Sequence, residues 1–205
     1  MKPTAIIDRL NGSFEDFGVR SSRGDHDLNP GMAPGTVMRE AAVLVPLVDR
    51  PKGLTVMLTQ RTDHLDHHPG QISFPGGGIE PEDTSAEDAA LREAEEEVGL
   101  ERKHVQVVGR LDQYITRTGF SVTPVVGLVE PVYTVSPDPF EVADVFEVPL
   151  NFLLDPENHR RESRTYKGVK REFYAMPYGD YYIWGATAGM LRNLYDVLKG
   201  ESGHG

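Results

Sequence analysis

The sequence predicts one α/β/α sandwich of the α+β or α/β class, built on a mixed β-sheet. Short apolar segments typical of strands are interleaved with two or three segments of helical periodicity. No internal repeat or change in composition marks a second domain, and 205 residues are enough for one substantial core. We expect an N-terminal helix or arm at 1–35, the folded domain at 36–200 and a flexible tail at 201–205.

The N-terminal half of the chain predicts a helix, an irregular segment and two strands. Apolar residues at helical spacing favour a short helix at 4–10, and the Gly-, Ser-, Asp- and Pro-rich stretch 11–35 favours an arm or loop. The apolar run 41–48 predicts a buried strand, and the β-rich segment 54–59 predicts its hairpin partner. Residues 64–77 have little periodicity and predict a loop.

The C-terminal half predicts more strands and a last helix. The hairpin in this half is expected to turn near Gly168, and the last helix to run from about Gly185 to Lys199. The predicted strands are 105–111, 121–129, 144–149, 165–170 and 171–176, and residues 181–184 lead into the last helix.

The clearest helix lies before Gly99, where a left-handed residue can end it. Either Thr84 or Ser85 can cap its start, with an acidic residue three positions on. At about 100° per residue, one side of this helix is apolar and can dock on the sheet. The apolar side consists of Ala90, Leu91, Ala94 and Val98.

An acidic side of the same helix is the strongest functional signal in the chain. Three glutamates related by steps of three and four residues share one arc, whereas Glu95 points to solvent. Arg92 is the one basic residue between Asp83 and Arg102, although a solvated surface face ordinarily mixes lysine with glutamate. Three carboxylates within one turn suit Mg²⁺ or Mn²⁺, which prefer oxygen ligands. The predicted ligands are Glu93, Glu96 and Glu97.

Composition excludes several classes of function. The formal net charge of -11 opposes nonspecific nucleic-acid binding, so an anionic substrate needs a metal ion or a local basic patch. The absence of cysteine excludes thiol catalysis, disulfides and Cys–zinc sites. The first residues lack a signal-peptide pattern, and no run reaches the roughly 18 apolar residues of a membrane span. We expect a cytoplasmic protein without a membrane or nucleic-acid partner.

The acidic segment also carries a family resemblance. Positions 92–100 read REAEEEVGL, which matches the second half of the Nudix hydrolase box, Arg-Glu-U-x-Glu-Glu-x-Gly-U, where U is aliphatic. The first half departs, because the position eight residues before Arg92 holds Thr84 instead of glutamate. One inserted residue restores the pattern as Gly77, five residues and then Asp83. The chain therefore resembles the Nudix hydrolases, with an aspartate where their upstream glutamate stands.

This resemblance implies a Nudix-type α/β/α sandwich at 36–200. It also implies that Glu93, Glu96 and Glu97 bind the divalent cation and that Arg92 orients the acidic cluster.

Further motifs resemble the coenzyme A pyrophosphatase subfamily. Met57 stands where this subfamily usually has leucine, and Asp66 stands where it often has a basic residue. The resemblance covers roughly residues 41–198. The matching segments read LTQRT at 58–62, GQ at 70–71, FPGG at 74–77, RTGF at 117–120, EVPL at 147–150 and IWGATA at 183–188.

The subfamily resemblance implies Mg²⁺- or Mn²⁺-dependent hydrolysis of coenzyme A or an acyl derivative to adenosine 3′,5′-bisphosphate and 4′-phosphopantetheine. Glu93 and Glu141 are the candidate general bases, and the sequence does not choose between them. Arg61 is a candidate phosphate contact, with an ordinary surface arginine as the alternative. Glycines let the backbone approach a metal or phosphate closely. The predicted substrate-binding residues are Arg61, His68, Phe74, Gly76 and Gly77.

Two rival functions stay open at this point. Within the same enzyme class, the substrate is ADP-ribose or a nucleoside triphosphate. In a different class, the domain binds a nucleotide as a sensor without cleaving it; such domains commonly lose box carboxylates, and all three remain here. For residues 11–35 the open roles are covering the site, pairing with a second subunit in a homodimer, or disorder.

Overall fold

The computed structural model describes residues 2–16, 23–31, 38–64, 69–131, 134–166 and 168–200. The helices are α1 (Pro3–Asp16), α2 (Ala86–Val98), α3 (Leu150–Leu153) and α4 (Ala186–Lys199). The strands are β1 (Arg23–Gly24), β2 (Arg39–Arg50), β3 (Gly53–Arg61), β4 (Ile72–Ser73), β5 (Gly76–Gly78), β6 (Val105–Arg110), β7 (Tyr114–Ile115), β8 (Phe120–Val129), β9 (Val142–Pro149), β10 (Arg160–Tyr166), β11 (Val169–Tyr178) and β12 (Tyr181–Trp184). In these parts of the chain, no helix is long and apolar enough to cross a membrane.

The main sheet is mixed, as predicted. β2 pairs in parallel with β8, from Arg39 opposite Phe120 to Val48 opposite Val129, and antiparallel with β3. β3 also pairs with β9, and β8 with β6, both antiparallel. Strands β10, β11 and β12 form a second, antiparallel sheet.

Helices cover both faces of the main sheet, because alternate side chains of a strand point to opposite faces. On one face, Leu44 of β2 and Met57 of β3 pack in one buried cluster with the apolar side of α2. On the other face, Val45 and Leu58 pack in a second cluster that includes residues of α1 and α4. The predicted α/β/α sandwich is therefore confirmed.

The first helix is longer than predicted. It runs to Asp16, so the prediction of an irregular segment beginning at residue 11 is wrong over 11–16. The fully buried side chains of Ile6 and Leu10 anchor the first turns in the core. Once such turns are fixed, each added residue gains a hydrogen bond at little further cost, so the helix continues into a polar sequence. The division of the chain at residue 35 stays a prediction.

The predicted loop at 64–77 is also partly wrong. Ile72–Ser73 pairs with the end of β3, and Gly76–Gly78 pairs antiparallel with β2. Two- and three-residue strands are too short to reveal alternation, and glycine is a poor strand former, so this pairing comes from the neighbouring strands.

The second hairpin turns near Gly168 as predicted, but its strands are not 165–170 and 171–176. Tyr166 lies opposite Val169, so the first strand ends before the turn and starts at Arg160. The remaining predicted strands and the last helix are confirmed with small differences at their ends.

Candidate active site

The acidic helix α2 is held firmly at both ends and along one side. The Ser85 hydroxyl accepts a hydrogen bond from the Asp88 N–H at 3.2 Å, which caps the start. Gly99 ends the helix with φ of 68°, and its N–H donates to the Glu95 carbonyl at 3.0 Å. Buried Ala90 and Ala94 dock on the sheet. A helix fixed in this way presents its acidic side in a defined position.

Arg92 is the hub of the acidic cluster, at the position where the family resemblance implies an orienting arginine. Its guanidinium donates two hydrogen bonds of 3.0 Å to the carboxylate of Asp83. It also donates to Glu93 Oε1 and Glu96 Oε2, both at 3.0 Å, and to the Gly78 carbonyl at 3.1 Å. The Arg92 hydrogen bonds hold the pKa of Asp83 below its usual range. Asp83 therefore fixes the arginine that holds the glutamates.

Glu97 is the most unusual carboxylate of the helix. Its side chain is 8 % exposed, and burial raises its pKa to about 7. The N–H of Gly76 donates to Glu97 Oε2 at 3.1 Å and opposes this shift, while the nearby carboxylates of Glu93 and Glu141 add to it. The folded protein therefore disfavours the ionised form of Glu97, and a bound cation would stabilise that form.

Glu93 lies beside Glu97 and is half-buried. Burial raises its pKa, the adjacent Arg92 opposes the rise, and the charges of Glu96 and Glu141 add to it. A Cβ atom placed on Gly77 would lie 2.5 Å from Glu93 Oε1. The close backbone approach predicted at the glycine run is therefore made to the Glu93 carboxylate.

Arg61 faces the acidic cluster from the end of β3. Its guanidinium lies 3.8 Å from Glu97 Oε1 and 4.0 Å from Glu141 Oε2. Arg61 pairs across the sheet with Val142, which brings the preceding Glu141 to the same place. Three predicted residues far apart in the sequence therefore meet at one site.

Phe74 and His68 are two predicted substrate contacts that the structure does not place at the acidic cluster. The side chain of Phe74 is 2 % exposed and packs in the hydrophobic core, so the prediction that it contacts substrate is corrected: its ring supports the segment that carries the glycines. His68 lies outside the described residues.

The carboxylates are not arranged around a single point. Glu96 is 61 % exposed and directed to Arg92. Among the described residues, no three His, Asp or Glu side chains are grouped closely enough to hold a metal ion. The assignment of Glu93, Glu96 and Glu97 as a ligand triad stays a prediction.

The segment 136–140, just before the candidate base Glu141, was not recognised from the sequence as part of the site. Its Asp138 N–H donates to the Glu97 carbonyl at 2.9 Å, and Ser136 N–H donates to the Val98 carbonyl at 2.9 Å. These bonds join the end of α2 to the segment that leads into β9. The one signal available was an aromatic residue, Phe140, in a polar stretch that reads SPDPFE at 136–141.

A cavity of about 720 Å³ lies elsewhere, among α1, α3 and the end of α4. It contains none of the predicted site residues and is lined in part by Lys2, Arg9, Asp155 and Lys199.

The fold and the carboxylate helix define a Nudix hydrolase. The family model for the NUDIX domain matches residues 38–168, which is more than half of the chain, and the chain belongs to this family. Nudix enzymes generally use divalent metal ions.

Curated relatives agree with this assignment. A protein of Escherichia coli named "Uncharacterized Nudix hydrolase NudL" is 44% identical over 157 residues, which cover 76% of this chain and 81% of the relative. A Yersinia pestis protein of the same name is 41% identical over 185 residues, which cover 90% of this chain and 92% of the relative. Among solved structures, the Nudix hydrolase RenU of M. Smegmatis matches with a TM-score of 0.52 at 19% identity, covering 84% of this chain and 99% of that one, which supports the fold. None of these names gives a substrate.

Proposed function

We propose that this protein is a divalent-metal-dependent diphosphatase that hydrolyses coenzyme A or acyl-coenzyme A to adenosine 3′,5′-bisphosphate and (acyl-)4′-phosphopantetheine. The observation that carries the proposal is the contact between the FPGG segment at 74–77 and the acidic helix. Gly76 N–H donates to Glu97, and Gly77 lies against Glu93. The segment that resembles coenzyme A pyrophosphatases is thus built directly onto the carboxylates.

The donor set fits a hard divalent cation. Carboxylate oxygens are the ligands that Mg²⁺ and Mn²⁺ prefer. Burial and the neighbouring carboxylates raise the pKa values of Glu93 and Glu97, so a cation beside them would stabilise their ionised forms. Glu93 and Glu97 would hold the ion, joined by Glu96 once it exchanges Arg92 for the metal. Such an ion neutralises diphosphate charge and lowers the pKa of bound water.

The chain's own residues have distinct roles in this proposal. Arg61, placed between Glu97 and Glu141, supplies a guanidinium for a phosphate oxygen. Glu93 and Glu141 remain the two candidate bases for the attacking water. The pKa of Glu93 is raised by burial, and a carboxylate with a raised pKa is a better proton acceptor near neutral pH.

The basic residues that flank the cluster also fit an anionic substrate. Arg92 is fully engaged by protein groups, whereas Arg61 contacts its carboxylates only at 3.8 and 4.0 Å. Hydrogen bonds of this kind are normally shorter than 3.2 Å, so Arg61 can turn to a phosphate at small cost.

A substrate panel tests the proposal. Coenzyme A, acetyl-coenzyme A, ADP-ribose and a nucleoside triphosphate are each incubated with protein and Mg²⁺, and the phosphate-containing products are identified by mass. We expect adenosine 3′,5′-bisphosphate from both coenzyme A substrates at the highest kcat/KM. Faster cleavage of ADP-ribose or of the triphosphate would contradict the substrate assignment, and binding without turnover of any substrate would favour a nucleotide sensor.

A further inference from the structure

One large apolar side chain beside the candidate active site is the most exposed of the large hydrophobic residues in the described parts of the chain. The ring of Phe140 is 64% exposed. Three other large hydrophobic residues in the described parts of the chain are exposed, at 37–49%. Leaving such a ring in water forgoes a substantial hydrophobic gain. A ligand that covers the ring would recover that gain.

Phe140 is exposed on a well-anchored backbone. Its N–H donates to Asp138 Oδ1 and its carbonyl accepts from the Thr62 hydroxyl, both at 2.8 Å. The next residue, Glu141, accepts from the Thr62 N–H at 3.0 Å and donates to the Asp138 carbonyl at 3.1 Å. Asp138 is itself bonded to the carbonyl of Glu97 at 2.9 Å. The ring is therefore held in place by the same network that fixes the acidic helix.

The backbone of Phe140 lies beside Thr62, the residue that follows the candidate phosphate contact Arg61. Phe140 directly precedes Glu141, whose carboxylate lies 4.0 Å from the Arg61 guanidinium. Only a ribose separates the 5′ phosphate of a nucleotide from its base, so phosphates bound at Arg61 would place the base near the segment that carries Phe140. The ring of His64 meets Phe140 edge-on at 4.8 Å between centroids and 60°, which buttresses one side of the ring.

We propose that Phe140 is a specificity-determining residue that stacks on the nucleobase of the substrate. This inference rests on the proposed nucleotide-diphosphatase function and names the part of the substrate that this residue recognises. A neutral, planar base suits this place, because the neighbouring Asp138, Glu141 and Glu97 repel acidic groups but leave a π-face unaffected. Base–aromatic stacking tolerates different bases, so the residue selects nucleotides over other diphosphates.

Equilibrium binding separates this proposal from the identity of the true substrate. Calorimetry measures the affinity of ADP and of ribose 5-diphosphate, which is ADP without adenine, in the presence of Mg²⁺. For Phe140→Ala we expect ADP to bind about 5- to 150-fold more weakly, the range that stacking supports, with ribose 5-diphosphate unchanged. Phe140→Trp should retain ADP binding, and Phe140→Leu should lose it, since leucine is apolar but cannot stack.

Val169 provides the control, and the two ligands together show whether the ring of Phe140 stacks on the base. Val169→Ala, at another exposed apolar residue, should leave both affinities unchanged. Equal weakening of both ligands in Phe140→Ala, or full ADP affinity in Phe140→Leu, would overturn stacking. Unchanged ADP affinity together with a lower sedimentation mass would assign the ring to a subunit contact instead. This assay measures binding and needs no turnover. Its result can therefore be interpreted even if the protein does not hydrolyse coenzyme A.

Discussion

Replacing Glu97 with glutamine in the metal-free protein should stabilise the fold at alkaline pH. Burial raises the pKa of Glu97 from 4.5 to about 7, so the folded state holds this proton more tightly than the unfolded state does. The stability that the protonated group contributes is fully present below pH 4.5 and is lost as the pH rises to 7. At 1.36 kcal/mol per pKa unit, the loss reaches about 3 kcal/mol.

Urea unfolding in the presence of EDTA at pH 5, 6, 7 and 8 measures this effect. The unfolding free energy of Glu97→Gln, relative to wild type, should increase by about 2–3 kcal/mol between pH 5 and pH 8. Taking the difference between the two proteins removes the titration of all other groups they share. Glu95→Gln is the matched control, because Glu95 is exposed on the same helix and its replacement should leave the pH profile unchanged.

Parallel pH profiles for wild type and Glu97→Gln would refute the reasoning. They would mean that Glu97 ionises in the folded protein as readily as in the unfolded chain, and that its burial does not disfavour the charged form.

Three further predictions concern the surroundings of the cluster. Gly77→Ala should lower Mg²⁺-dependent activity at least 10-fold with little change in Tm, because its Cβ displaces the flexible end of Glu93; a Tm scan and a rate assay check both parts. Arg92→Lys should lower kcat/KM about 10- to 100-fold, since lysine cannot make the bidentate contact with Asp83, and wild-type rates would contradict an orienting role. Ile6→Ala should cost about 2–5 kcal/mol of unfolding free energy by urea titration, whereas a cost near zero would mean that α1 is dispensable to the core.

The features that the sequence predicted well are local ones. Helix α2 was predictable because its signals lie in one short segment. Ser85 caps the start, Gly99 ends the helix, and buried alanines between them mark the side that docks on the sheet. The acidic arc followed from the same periodicity, and the role of Arg92 followed from the family resemblance; in the structure Arg92 lies one turn from Glu96 and donates to it.

The features that the sequence did not predict depend on strand pairing. Arg61 and Glu141 meet because β3 pairs with β9, and no local pattern specifies that register. The burial of Glu97 arises from Gly76 on one side and the segment around Asp138 on the other. The role of Asp83 likewise appears only in three dimensions, where its carboxylate accepts two hydrogen bonds from Arg92.

Metal-dependent hydrolysis of coenzyme A tests the central claim most directly. Protein stripped with EDTA is assayed for release of adenosine 3′,5′-bisphosphate before and after addition of Mg²⁺ or Mn²⁺, beside Glu97→Gln and Glu95→Gln. We expect no release without metal, full release with metal in wild type and Glu95→Gln, and a loss of at least about 100-fold in Glu97→Gln. Full activity in Glu97→Gln, or hydrolysis that is indifferent to metal, would contradict the account.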